Sequence, residues 1–259
     1  MKKLLLCLIS VIGLGLLVVG CAGANAGPET QRSFNFTDFN KVEISSAFQV
    51  DLVPSDSYCI SITAQEKLFD HIKVSKSGDT LQISMQWSFG TWLSSWGYHR
   101  PKARITMPTL AELHMSGASK GTAKGFKSPN DITITVSGAS SLDIDIEANA
   151  SSIEVSGASH TKGMLKSGDA GITVNGASSI DLTGSGNNLD INVSGASRAI
   201  LEGYSVRNAN VTVSGASRAT VTVDSKMTVE LSGASSLDYS GNPTLDVKDI
   251  SGASTIHKK

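Results

Sequence analysis

The feature that most constrains this chain is a tetrapeptide that returns eight times. Ser-Gly-Ala-Ser places its glycine at Gly117, Gly138, Gly157, Gly176, Gly195, Gly215, Gly233 and Gly252, with Asn175 standing once for the leading serine. The intervals are 21, 19, 19, 19, 20, 18 and 19 residues. A period this regular over more than half of 259 residues belongs to a solenoid, in which each repeat is one coil that buries its apolar side against its neighbours.

Inside a repeat the apolar period is two. Two and four residues before the glycine stand Ile134 and Val136, Ile153 and Val155, Ile172 and Val174, Ile191 and Val193, Val211 and Val213, Val229 and Leu231. Four and six after it stand Leu142 and Ile144, Ile180 and Leu182, Ala199 and Leu201, Ala219 and Val221, Leu237 and Tyr239. Alternation of this kind is strand, so each coil holds two short strands joined at the Gly-Ala-Ser corner. A helix would need spacings of three and four and would lose about 1 kcal/mol at every glycine relative to alanine. An antiparallel meander would need a two-residue hairpin turn at a fixed offset in every repeat, and none recurs. A parallel β-helix stacks equivalent residues about 4.8 Å apart, so one corner sequence must serve every coil. Ser-Gly-Ala-Ser is therefore expected to be a structural corner, with glycine free to take positive φ and the serine hydroxyls bonding along the column.

The chain starts with Lys2 and Lys3, an apolar run from Leu4 to Val19, then Gly20 and Cys21. A basic start, a short apolar core and a small residue before the cut make a secretory signal rather than a retained span. Val18-Val19-Gly20-Cys21 resembles the bacterial lipobox, which implies a signal peptide over residues 1–20, lipid on Cys21, a lipoprotein anchored to the membrane, and an outer-membrane address, facing either the surface or the periplasm. Residues 21–32 are small and polar and read as a flexible tether. With Cys7 in the signal and Cys21 lipidated, Cys59 has no second cysteine for an intrachain disulfide. The 22 basic and 23 acidic residues become 20 and 23 without Lys2 and Lys3, a net charge of −3; that balance excludes nucleic acid as the expected partner.

Residues 33–113 lack the repeat but keep its alternation, in Val42-x-Ile44, Phe48-x-Val50-x-Leu52, Tyr58-x-Ile60-x-Ile62, Ile72-x-Val74, Leu81-x-Ile83-x-Met85 and Ala103-x-Ile105-x-Met107. Ile44 to Leu52 matches Val136 to Ile144 in phase, with Ser46 in the glycine slot, and reads as a degenerate coil. Val74 to Ile83 reads as a second, its corner swollen to Lys76-Ser77-Gly78-Asp79-Thr80. With residues 114–259 as the regular part, the expectation is one all-β solenoid of about ten coils at about 4.8 Å each. The Phe39 to Leu52 pattern, Gly78-Asp79-Thr80-Leu81, Ile105-Thr106-Met107-Pro108 and the Ser-Gly-Ala-Ser array together resemble the auto-transporter adhesin head GIN domain family of Bacteroidetes lipoproteins. That resemblance implies a right-handed parallel β-helix and an adhesin, with no catalytic residues to carry over.

One stretch breaks the pattern. The aromatic excursion at residues 86–100 holds all three tryptophans, and Trp87, Phe89, Trp92, Trp96 and Tyr98 are candidate ligand contacts or, alternatively, a cover for the thin core. Three residues after each glycine an outward column includes Lys120, His160, Arg198 and Arg218, a candidate basic stripe for anionic glycans. The next outward column spaces Asp143, Asp181 and Asp238 with Lys162, Ile200 and Thr220, leaving carboxylates about 9.6 Å apart at two coils' separation. That is wide for a retaining glycosidase pair and marginal for an inverting one, so an enzyme is not expected. Scattered histidines and the absence of a Gly-Gly-x-Gly-x-Asp repeat predict no metal, and no motif calls for a cofactor. Lys258 and Lys259 beside the last strand read as guards against edge pairing, or as a place where another chain adds a strand. The leading functional expectation is a lipid-anchored cell-envelope protein that binds glycan or protein at the cell surface. The alternatives are an envelope scaffold without a specific ligand and a β-helix polysaccharide lyase or hydrolase. The sequence leaves the oligomeric state open.

Overall fold

The computed structural model describes residues 28–86 and 99–259, and over these the chain is an all-β solenoid of about 8 turns. In chain order the strands are β1 Glu29–Phe34, β2 Lys41–Ile44, β3 Gln49–Pro54, β4 Cys59–Gln65, β5 Ile72–Ser77, β6 Thr80–Met85, β7 Lys102–Met107, β8 Glu112–Met115 and β9 Lys120–Lys127. They continue as β10 Ile132–Val136, β11 Ser141–Val155, β12 His160–Val174, β13 Ser179–Val193, β14 Arg198–Val213, β15 Arg218–Leu231, β16 Ser236–Ser240, β17 Thr244–Ile250 and β18 Thr255–Lys258. From β11 to β15 the ladder carries on through the bend opposite the corner, so one strand covers both arms of a coil. Each pairs in parallel with the next, as in Ile153 with Ile172 and Ile172 with Ile191.

The corner explains the repeat. All eight of its glycines have positive φ, from 67° at Gly117 to 80° at Gly195, a region that L-residues enter only at a cost of about 1–2 kcal/mol. Space is as restrictive as conformation: a Cβ on Gly195 would lie 2.5 Å from the Gly176 carbonyl oxygen. The same oxygen accepts the Ala196 N–H at 2.8 Å, and the bond recurs from coil to coil. The second serine is buried in the regular coils and its hydroxyl works in both directions. Ser159 Oγ accepts the Ser140 N–H at 3.2 Å, and Ser197 Oγ donates to the Gly176 carbonyl at 3.3 Å.

Val136, Val155, Val174 and Val193 stack as one apolar file that is fully buried, and Ile134, Leu142, Ile180 and Leu182 in neighbouring files are buried as well. At 0.8 kcal/mol or so per buried methylene, such a file supplies the cohesion that no disulfide provides. Tyr204 is also fully buried. It enters where β14 is one residue longer than β13 and the register shifts between Asp181 and Gly184.

The N-terminal third stacks out of chain order. β2 and β3 form the degenerate coil expected from Ile44 to Leu52, with Ser46 at φ 73° in the glycine slot, and they pair in parallel with β8 and β9. On their other side β6 pairs with β2 and β7 with β3, also in parallel. β6 and β7 therefore lie outside residues 41–54 in the stack, although they follow them in sequence. Antiparallel strands finish this end: β4 lies on β7, β1 on β4, and β5 on β6. Leu68 and Phe69, beside the short 3-10 helix Glu66–Leu68, are buried there.

Three expectations are corrected by this arrangement. The Lys76 to Thr80 segment is no swollen corner but the end of an antiparallel hairpin, turned by Gly78-Asp79 with Gly78 at φ 59°. Residues 29–32 are not tether, because β1 binds the edge of β4. The solenoid has about 8 turns rather than ten, because part of the N-terminal third runs antiparallel across its end. Residues 1–20 and Cys21 lie outside the described residues, and among those described no helix is long and apolar enough to cross a membrane.

Candidate functional site

Parallel register places equivalent side chains in files along the solenoid, and one file is basic. Lys120 pairs with Ser141, Ser141 with His160, His160 with Ser179, Ser179 with Arg198, and Arg198 with Arg218. Five steps of about 4.8 Å span about 24 Å. The side chains point outward because their neighbours Leu142, Ile180 and Ala199 point in and are fully buried. Lys120, Arg198 and Arg218 are exposed, and none of the three is in an ion pair among the described residues. His160 Nδ1 lies 2.7 Å from Ser179 Oγ, which ties the ring into the same file. Two guanidinium groups on adjacent strands, with serines beside them, suit one anionic group bridged by both.

The next outward file carries the carboxylates. Its order is Asp143, Lys162, Asp181, Ile200, Thr220 and Asp238, so each aspartate is separated from the next by at least one other side chain. Asp143 is moreover held by Lys124 Nζ at 3.0 Å. The arrangement gives no convergent pair for general acid and base work. Among the described residues no group of three or more metal-ligating side chains comes together.

Two features escaped the sequence reading. A shallow cleft of about 360 Å³ runs across three coils at the bend opposite the corner, lined by residues that include Glu147, Lys166, Gly168 and Gly186. A second of about 190 Å³ shares Glu147 and Lys166 and reaches the exposed Met164. Gly186 has no side chain because Tyr204 lies behind it: a Cβ there would stand 2.5 Å from the phenol oxygen. That buried hydroxyl has no hydrogen-bond partner among the described residues, and burial alone pushes its pKa up to about 12. Beside the cleft runs an amide ladder in which Asn188 Nδ2 donates to Asp169 at 2.7 Å and Asn208 Nδ2 to Asn188 Oδ1 at 2.9 Å. Asp169, Asn188 and Asn208 recur at 19 and 20 residues, so the ladder was present in the repeat period and was hidden only because the corner drew the alignment.

Trp87, Phe89, Trp92, Trp96 and Tyr98 lie outside the described residues. On the described residues either side of them, Ile83 of β6 pairs with Ile44 and Lys102 at the start of β7 pairs with Gln49.

Comparison with known proteins bears on most of the chain. Residues 38–243 match the family model described as "Putative auto-transporter adhesin, head GIN domain". No curated protein matches. A solved structure from Parabacteroides merdae, described as a "putative adhesin", superposes with a TM-score of 0.81 at 18% identity, over 90% of this chain and 97% of that one. A "putative adhesin" from Parabacteroides distasonis gives 0.80 at 14% identity, over 90% and 98%. A "putative lipid binding protein" from the same species gives 0.80 at 18%, over 90% and 97%. At these identities the three structures establish the shared fold.

Proposed function

The chain belongs to the auto-transporter adhesin head GIN domain family, a family of adhesin-like proteins of the cell surface or envelope, and on that premise we propose that it is a lipid-anchored, non-enzymatic binding protein of the outer membrane. In this reading Cys21 carries the lipid and the rigid solenoid presents contact surfaces for a glycan or protein ligand. The observation that carries the reading is the basic file Lys120, His160, Arg198 and Arg218. Its adjacent arginines have no acidic partner among the described residues, and its length of about 24 Å fits several residues of a sulfated or carboxylated glycan. The aromatic residues 87–98 supply a second contact surface on the same proposal. The separated carboxylates favour binding over hydrolysis.

Heparin, a linear sulfated glycan, is the probe. We expect saturable binding that weakens with salt, since each contact is an exposed ion pair. Replacing Arg198 and Arg218 together by alanine should lower affinity about tenfold or more, as two charge-assisted contacts contribute about 1 kcal/mol or somewhat more. Affinity unchanged by the double replacement would refute the file as the site.

A further inference from the structure

We propose that Asp143 and Asp181 determine which anionic glycan the basic file accepts: a linear chain with one anionic group per disaccharide, in preference to one charged on every residue. The inference rests on the basic file being the ligand site. Outward positions alternate along a strand, so every coil offers its file residue and, about 7 Å further on, a second outward residue. In coil order these pairs are Lys120 and Thr122, Ser141 and Asp143, His160 and Lys162, Ser179 and Asp181, Arg198 and Ile200. Basic coils therefore alternate with acidic ones, and the cations of the file recur at every second coil, about 9.6 Å apart. Lys162 gives the His160 coil a permanent charge. Arg218, beside Arg198, widens the last basic position into a fork for one anion.

Avoidance of like charge across strands does not account for the pattern. It would set a carboxylate in the file itself, directly opposite each base, yet the file has serines there and the carboxylates stand one outward position away. Neither aspartate is paired with a cation of the file: Asp143 is held by Lys124 Nζ at 3.0 Å, and Asp181 is exposed and in no ion pair among the described residues. A pyranose residue of an extended chain advances by about one coil's rise, so a chain laid along the file sets successive residues over successive coils. Anions on alternate residues then meet Lys120, His160 and Arg198 in turn. The uncharged residues between them lie over Ser141 and Ser179, whose hydroxyls suit sugar hydroxyls. A chain charged on every residue also sets anions over those serines, about 7 Å from Asp143 and Asp181 and inside the screening length of about 8 Å at physiological salt. Specificity here comes from an unfavourable contact with the wrong ligand.

Calorimetric titration of the full chain in detergent with hyaluronan and heparin oligosaccharides of equal length, at about 0.15 M salt, tests this. Hyaluronan has one carboxylate per disaccharide; heparin has an anionic group on nearly every residue. The parent should bind hyaluronan at least as tightly as heparin, despite its lower charge. Asp143→Asn combined with Asp181→Asn should raise the ratio of heparin to hyaluronan affinity about threefold, because anions over Ser141 and Ser179 stand nearer the lost charges than anions over the basic coils. Asp190→Asn combined with Glu230→Gln removes the same charge from the arm before the corner and should leave the ratio unchanged. A parent that prefers heparin, or a ratio that the two asparagines leave unmoved, overturns the inference while the file stands as the site. Failure of both glycans to bind sinks the file itself.

Discussion

Two glycines with the same backbone conformation but different surroundings separate the two physical causes of the repeat. Gly78, in the β5–β6 turn, has φ 59° and nothing within 4 Å of where a Cβ would stand; Gly195, in a corner, has φ 80° with the Gly176 carbonyl oxygen 2.5 Å away and the Gly176 nitrogen at 3.1 Å. Alanine at Gly78 meets only the left-handed penalty of about 1 kcal/mol. Alanine at Gly195 meets the same penalty and must also push two coils apart by nearly 1 Å at the corner. That motion loosens the Ala196 to Gly176 bond of 2.8 Å and the 3.4 Å bond from Ser178 N–H to Ser197 Oγ. Each is a net contribution of about 1 kcal/mol, so Gly195→Ala should cost about 3 kcal/mol against about 1 for Gly78→Ala. Urea unfolding measures both. With unchanged slope, the difference of about 2 kcal/mol places the two midpoints about 1 M apart. Equal losses would refute the claim that close stacking of corners, rather than conformation alone, requires glycine.

Tyr204→Phe should raise stability by about 1 kcal/mol in the same assay, since it removes a buried hydroxyl that has no partner among the described residues; a loss would mean that the hydroxyl is bonded. Because its pKa is raised to about 12, the stability tied to this phenol is present below pH 10 and lost as pH rises through 12, and the phenylalanine variant should show a flatter alkaline limb. Hydrogen bonds from the Thr30 hydroxyl, then from Arg32, hold the Glu66 carboxyl below its ordinary value of 4.5. Stability from Glu66 is therefore present above pH 4.5 and lost as pH falls toward the depressed value, so Glu66→Gln should soften the acid limb of midpoint against pH. Finally, Cys21→Ala should abolish incorporation of labelled fatty acid and move the protein to the soluble fraction; retention in the membrane would sink the lipid anchor.

The sequence by itself determined the coil. A corner repeated at 18 to 21 residues, flanked by period-two apolar residues, admits only stacked parallel strands, because each coil must repeat the contacts of its neighbour at one spacing. It therefore also determined the files, and Arg198 beside Arg218 could be placed without coordinates. The N-terminal third was less legible. Local alternation marks a strand but not its partner: Leu81 and Ile83 read alike whether their strand follows residues 41–54 in the stack or lies outside them. The Gly78-Asp79 turn was a readable hairpin signal, but it occurs once, and a solenoid corner is recognised by recurrence. Tertiary structure alone decided the order of stacking and the burial of Tyr204 at a register shift. The shift lies between Asp181 and Gly184 on the neighbouring strand. Which face a residue takes beyond such a shift depends on the strand beside it, and no local sequence carries that information.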